Sequence, residues 1–306
     1  MADAFDPAHL FDHVQDQPYF EVPKFFDEDG HWDIPQPFVE LEDTTKVGTE
    51  VHTSPGVVQP FDGMLTKFML VELAVALVMC LLFIRLAQRM AGGRRPQGLI
   101  WNFLEAIVVF LRDEVARPAI GKHDADRFMP FLLTMFFFVL GCNLLGMVPW
   151  LGTATAALAT TGALALITFL AVIGTGMSKL GVAGFWKAQV PPMDLGLELG
   201  GINFEPALKA VLLPMIFTIE VIGLLIKHFV LAVRLLANML AGHLVLAVIL
   251  AFIAAYWQNG AIWGVAPASI LGATALSMLE LFVAFLQAYI FAFLSALFIG
   301  MAVHPH

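Results

Sequence analysis

Ionisable and amide side chains recur inside the first of two long apolar stretches that end this chain. Glu220, Lys227 and Arg234 are seven residues apart in succession, so they share one face of a helix. Asn238 lies one turn beyond Arg234 on that face, and His243 follows in the same stretch. A charged side chain near the centre of a bilayer costs about 2.5–3.5 kcal/mol, and such residues are functional by default. The pattern therefore predicts a polar, titratable stripe within a membrane-spanning helix.

The last apolar stretch carries a second pair of polar residues at the same spacing, Glu280 and Gln287. If the two stretches form an antiparallel hairpin around residues 257–262, Gln287 approaches the depth of Arg234 and Glu280 approaches His243. An imidazole and a carboxyl group can exchange a proton at physiological pH, so the sequence predicts a proton path. A static contact between Glu280 and His243, or a structural ion pair between Glu280 and Arg234, remains an alternative.

The composition indicates an integral membrane protein. Of the 306 residues, 59% are hydrophobic and 13% are charged, whereas soluble domains have roughly 45–50% apolar and 25% charged residues. Basic clustering of the nucleic-acid-binding kind is absent, and so is a phosphate-binding glycine motif. Cys80 and Cys142 lack metal-ligand spacing. No cofactor and no metal site is predicted.

The chain divides into an acidic segment, residues 1–63, and a transmembrane proton-channel domain, residues 64–306. The first segment holds 14 of the 25 acidic residues and two of the 16 basic ones, and we expect it outside the membrane, with one short helix near 7–16. The fold class predicted for the rest is an all-α polytopic membrane protein with about five membrane-crossing helices plus an interfacial helix. The crossings are expected at 65–86, 129–150, 154–177, 206–257 and 266–303, and the interfacial helix at 99–118.

The two last helices are too long for a perpendicular crossing. At 1.5 Å per residue they would measure about 78 and 57 Å, against a hydrocarbon core of about 30 Å. We therefore expect a hairpin of two long C-terminal helices that either break or lie strongly tilted in the membrane. Lys227 and His228, which are neighbours on the first of them, are expected to reach toward a membrane interface.

Basic residues set the predicted orientation. Arg85 stands at the end of the first crossing, and Arg89, Arg94 and Arg95 directly follow it. Cytoplasmic flanks collect Lys and Arg. This flank is therefore predicted to be inside, which leaves the N-terminus outside and, after five crossings, the C-terminus cytoplasmic. The length of the chain and the missing transit peptide predict a bacterial plasma (inner) membrane.

Three stretches closely resemble a known family. EVIGLLIKHFVLAVRLLANMLAGH (220–243) resembles the signature of subunit a of F-type ATP synthases, the ATPase subunit 6 family, in which an essential arginine stands in an R-L-x-x-N-M-x-A-G context. LELFVAFLQAYIFAFLSALFIGMA (279–302) is similar to the last helix of that family, and NLLGMVP (143–149) to its N-L-x-G-x-x-P turn. Order and spacing agree from about residue 65 to residue 303.

The resemblance implies specific roles for the polar stripe. Arg234 would face the carboxylates of the rotating c-ring, with Gln287 beside it and Asn238 lining the same surface. His243 and Glu280 look like the pair that relays protons in the outer half-channel. Glu220 looks like the residue that serves the inner half-channel in this family.

The function implied by the resemblance is that of a proton-conducting stator subunit. It would give protons two offset half-channels to and from the c-ring, without being an enzyme on its own. The implied partners are the c-ring, the peripheral-stalk b subunits and the lipid bilayer, with no nucleic acid and no small-molecule substrate other than protons. The alternatives are a free-standing proton-coupled secondary transporter, which would show paired broken helices, and a membrane anchor of a respiratory complex.

One segment departs from the family pattern. The stretch TATAALATTGAL (153–164) lacks the acidic or amide residue that some members carry there. Its hydroxyl residues, Thr153 and Thr155, are expected at most to help to hold water.

Overall fold

The computed structural model describes residues 19–21, 31–35, 65–91, 98–148, 151–189, 198–199, 202–203, 205–256 and 262–303. Within these residues, five helices are long and apolar enough to cross a membrane. The prediction of an all-α polytopic membrane protein is therefore confirmed. Each crossing helix exceeds the roughly 20 residues that a bilayer core requires.

The first part of the transmembrane region contains three crossing helices and three shorter ones. The second helix, α2, continues through a π-helical segment, Leu111–Ala116, into α3, so the helix predicted at 99–118 is present. A 3-10 turn, Ala154–Ala156, precedes α5, which therefore begins four residues later than predicted. The helices are α1 Lys67–Ala91, α2 Leu99–Phe110, α3 Arg117–Ile120, α4 Ala125–Gly146, α5 Leu158–Leu180 and α6 Val182–Ala188.

The two long C-terminal helices are each continuous. Helix α7 spans Glu205–Tyr256 and α8 spans Ile262–Val303, with 52 and 42 residues. Pro214 and Pro267 lie inside them without ending them. The expectation that these helices break because of their excess length is therefore wrong. A strong tilt stays a prediction, because it follows from comparing helix length with bilayer thickness.

Short antiparallel ladders accompany the helices. Strand β1, Tyr19–Glu21, pairs with β2, His31–Asp33. Strand β3, Glu198–Leu199, pairs with β4, Ile202–Asn203, in the stretch between the third and fourth predicted crossings. The helix predicted near 7–16 lies outside the described residues, and the division at residue 63 stays a prediction.

One face of α1 shows why these helices need an apolar solvent. Four large apolar side chains at helical spacing, Leu73, Leu77, Leu81 and Ile84, are all at least half exposed. Val71 and Val75, on another face, are buried. A continuous exposed apolar stripe of this length is unfavourable in water and favourable in lipid. It supports the placement of α1 in the membrane.

The chain forms two compact units by its internal contacts. One draws on residues within Met1–Ala87, Phe138–Ala157 and Leu236–Phe285, and the other on residues within Gln88–Phe137, Leu158–Leu235 and Leu286–His306. In the first unit, Gly141 gives Val75 of α1 room against α4. In the second, Gly300 lets α8 approach the backbone carbonyl of Ala119. Both glycines permit close helix packing, as small residues do between membrane helices.

Candidate functional site

His243 on α7 and Glu280 on α8 form a hydrogen-bonded pair. The ring nitrogen Nδ1 of His243 lies 2.8 Å from Oε1 of Glu280. Glu280 is buried and His243 is half-buried. The expected approach of these two residues is confirmed, and their contact places α7 beside α8 in this unit. A carboxyl group without water around it requires such a partner.

The other ring nitrogen of His243 is held by α4 and the turn that follows it. Nε2 lies 2.8 Å from the carbonyl oxygen of Gly146 and 2.7 Å from Oγ1 of Thr153. A carbonyl oxygen can only accept a hydrogen bond, so Nε2 carries the hydrogen in this arrangement. Thr153 accepts from the same N–H, and its own hydroxyl donates to the carbonyl of Gly146 at 3.4 Å. These contacts select one tautomer of the neutral ring.

That tautomer determines how His243 and Glu280 can share a proton. With Nε2 protonated, Nδ1 of a neutral ring accepts a hydrogen bond from a neutral Glu280 carboxyl group, or N–H at Nδ1 of a cationic ring donates one to a Glu280 carboxylate. The pair has the same total charge, zero, in both forms. It therefore holds one shared proton, which is an arrangement suited to taking up a proton and passing it on.

Gly242 provides the space for the Glu280 carboxyl group. A Cβ atom built at Gly242 would lie 2.7 Å from Oε1 and 3.2 Å from Cδ of Glu280. Sequence reasoning did not assign Gly242 a role. The sequence feature that could have indicated a role is the position of this glycine inside a helix. A glycine there costs about 1 kcal/mol relative to alanine and usually has a packing or functional reason.

A second layer of hydrogen bonds lies behind the pair. Oγ1 of Thr155 donates to Oδ1 of Asn143 at 2.9 Å, and Nδ2 of Asn143 donates to the carbonyl oxygen of Ala284 at 3.4 Å. Asn143, Thr153 and Thr155 are all fully buried. The expectation that Thr153 and Thr155 serve at most to hold water is wrong, because both hydroxyls bond protein groups. The sequence feature that could have indicated this role is the placement of Asn143 at the end of α4, and of Thr153 and Thr155 in the connection to α5.

The other predicted site residues lie on the same two helices. Glu220 and Arg234 are half-buried on α7, and Asn238 is exposed there. Gln287 is buried on α8. The structure thus brings His243 and Glu280 together, and the proximity of Gln287 to Arg234 stays a prediction. The roles assigned to all six residues also stay predictions.

His228 is buried against other helices, so the expectation that its side chain reaches out toward a membrane interface is wrong. Its Nδ1 lies 2.9 Å from the carbonyl oxygen of Leu224, and its ring lies 5.2 Å from Phe169 and 4.9 Å from Phe298. Lys227, one residue earlier, is exposed. Consecutive helix positions point about 100° apart, which is enough to place these neighbours in different surroundings.

The fold and the site define a polytopic α-helical membrane protein with a hydrogen-bonded imidazole–carboxyl pair between two of its crossing helices. The family model described as ATP synthase A chain matches residues 69–300. The chain belongs to this family, the proton-conducting stator subunit a of F-type ATP synthases.

Its relatives agree with that assignment. A protein of Myxococcus xanthus named ATP synthase subunit a is 41% identical over 303 residues, which cover 95% of this chain and 92% of the relative. The subunit of the same name from Chloroherpeton thalassium is 40% identical over 256 residues, or 83% of this chain and 71% of the relative. That of Anaeromyxobacter dehalogenans strain 2CP-1 is 45% identical over 211 residues, or 69% and 50%.

Proposed function

We propose that this chain gives protons two offset half-channels to and from the carboxylates of a rotating c-ring. The observation that carries the proposal is the hydrogen bond between His243 and Glu280, deep in two helices that are long enough to cross a bilayer. The chain would be non-catalytic, with ATP synthesis taking place on other subunits. Its partners would be the c-ring, the peripheral-stalk b subunits and the surrounding lipid.

In this proposal His243 and Glu280 carry the proton of the outer half-channel. Adding one proton to the neutral pair produces an imidazolium beside a neutral carboxyl group, with a net charge of +1. Loss of one proton toward the rotor restores the neutral pair. Each passage moves one proton and leaves the pair as it began. The contacts of Nε2 with Gly146 and Thr153 keep the ring oriented throughout.

Arg234 acts at the rotor in this proposal, because arginine keeps its positive charge at all physiological pH values. A pair of unit charges 4 Å apart is worth about 4 kcal/mol at an effective dielectric constant of 20. That energy corresponds to about three pKa units. It suffices to remove the proton from a rotor carboxyl group whose pKa is raised by burial in the membrane. The same charge blocks direct passage between the half-channels.

The remaining site residues complete this path. Gln287 and Asn238 line the surface that faces the rotor, and Glu220 serves the inner half-channel. The membrane potential supplies about 2.3 kcal/mol per proton per 100 mV. We place the chain in a bacterial plasma membrane with its N-terminus outside and its C-terminus in the cytoplasm, since the arginines after the first crossing favour that orientation.

The test uses Arg234→Ala in the intact ATP synthase complex, in inverted membrane vesicles. We expect ATP-driven proton pumping and gradient-driven ATP synthesis to be abolished, while assembly and ATP hydrolysis persist. Lys122→Ala, which removes an exposed cation in the loop before α4, is the control and should behave as wild type. Pumping near the wild-type rate in Arg234→Ala would overturn the proposed role of the arginine.

Purification separates the stator from a free-standing transporter. A stator should copurify with a c-ring, b subunits and a soluble ATPase head. Recovery of the chain alone, with proton-coupled solute uptake after reconstitution, would favour the transporter instead.

A further inference from the structure

A cavity of about 310 Å³ lies between the start of α4 and the end of α5. Both helices are candidate membrane spans. The cavity lies at the first turn of α4 and the last turns of α5, so we expect it at one boundary of the bilayer. It belongs to the second compact unit and contains none of the proposed proton-carrying residues. Its lining includes Arg127, Phe128, Gly174, Thr175, Ser178 and Lys179.

The lining combines two kinds of surface. Arg127 and Lys179 contribute positive charge, and Thr175 and Ser178 contribute hydroxyl groups. Phe128 contributes an apolar wall. Gly174 adds no side chain, and a Cβ atom there would meet nothing within 4 Å, so the helix surface beside it is open. An amphipathic molecule with an anionic head would satisfy both surfaces.

Of the two cations that line the cavity, Lys179 has an acidic partner and Arg127 has none among the described residues. Nζ of Lys179 lies 2.5 Å from Oδ2 of Asp124, and Arg112 makes two hydrogen bonds to Asp126, at 2.7 and 2.8 Å. Asp124, just before α4, and Asp126, in its first turn, therefore already have cationic partners. Arg127 has an exposed side chain and forms no ion pair with any residue that the structure describes. The cavity thus has a surplus of positive charge at its mouth.

We propose that this cavity binds the headgroup of an anionic phospholipid. The guanidinium group of Arg127 holds the phosphate, because its planar N–H fork matches phosphate oxygens. The hydroxyls of Thr175 and Ser178 donate hydrogen bonds to the same group, and the first part of an acyl chain lies against Phe128. A basic side chain at the membrane boundary also gains from the negative surface potential of anionic lipids. The opening at the bilayer boundary favours a lipid over a free phosphate ion.

The test compares lipid retention by intact, delipidated ATP synthase complexes in native mass spectrometry after incubation with phosphatidylglycerol in detergent. We expect Arg127→Gln to retain one phosphatidylglycerol fewer per complex than wild type. Lys122→Gln removes the same charge five residues earlier, from the turn before α4, without lining the cavity, and it should retain as many as wild type. Arg127→Lys should fall between them. Phosphatidylcholine retention should not differ among the variants.

Thr175→Val keeps the charge and removes one donor, so it should weaken phosphatidylglycerol binding by about fivefold even if Arg127→Gln fails to assemble. Equal phosphatidylglycerol retention in Arg127→Gln and Lys122→Gln, or an unchanged affinity in Thr175→Val, would overturn the proposal. Complete displacement of the Arg127-dependent lipid by inorganic phosphate would identify a phosphate site instead.

Discussion

A Cβ atom at Gly242 would lie 2.7 Å from Oε1 of Glu280, so the absence of a side chain on α7 is what admits the carboxyl group from α8. Real Cβ atoms do not approach other heavy atoms this closely. Because the same oxygen is hydrogen-bonded to His243, the residue next to Gly242, a side chain at position 242 would shift the carboxyl group away from its present position against the ring. A residue without functional groups thereby becomes part of the site.

We predict that Gly242→Ala lowers coupled proton transport on the order of tenfold to a hundredfold, because a misplacement of about 1 Å has effects of this size. The methyl group would displace the Glu280 carboxyl from Nδ1 of His243. ATP-driven acidification of inverted vesicles measures the effect, and subunit content confirms assembly. Gly223→Ala is the control, since a Cβ atom at Gly223 of the same helix meets nothing within 4 Å. Equal pumping in the two variants would contradict this prediction.

Thr153→Val should slow passive proton conduction through the membrane sector after removal of the ATPase head. Valine keeps the shape of threonine and removes the oxygen 2.7 Å from Nε2 of His243. One such hydrogen bond contributes about 1 kcal/mol, which is roughly a fivefold change in rate. Thr153→Ser should restore conduction, because it restores the hydroxyl group.

Thr168→Val provides the matched control for Thr153. Thr168 is also buried, but its hydroxyl donates only to the carbonyl of Leu164 in its own helix, at 3.0 Å. Conduction in this control should match wild type. If Thr153→Val conducts as well as Thr168→Val, then Thr153 does not position His243.

His228→Phe should keep assembly and coupled transport near wild type, whereas His243→Phe should abolish transport. The His228 ring packs against Phe169 and Phe298, and phenylalanine can occupy the same space. Nε2 of His228 is buried without a hydrogen-bond partner among the described residues, so removing it relieves an unfavourable burial. Pumping and thermal stability of the purified complex measure the outcome. Loss of pumping in an assembled His228→Phe complex would assign this ring a proton-carrying role.

The helices and part of the site could be predicted from the amino-acid sequence alone. Five apolar stretches of about 20 residues or more predict five crossing helices, since a single segment in a bilayer core can satisfy its own backbone hydrogen bonds only as a helix. Helical spacing in the last two apolar stretches, with the predicted antiparallel hairpin around residues 257–262, also predicted that Glu280 would approach His243. Both are local or nearly local properties of the chain.

Only the tertiary structure decided the rest of the site. The partners of Nε2, Thr153 and the carbonyl of Gly146, stand about ninety residues before His243 in the chain. A backbone carbonyl has no signature in the sequence, and helical periodicity tells which residues share a face but not which helix that face meets. The same reason explains the burial of His228 and the space at Gly242, because each depends on what the neighbouring helix presents at that depth.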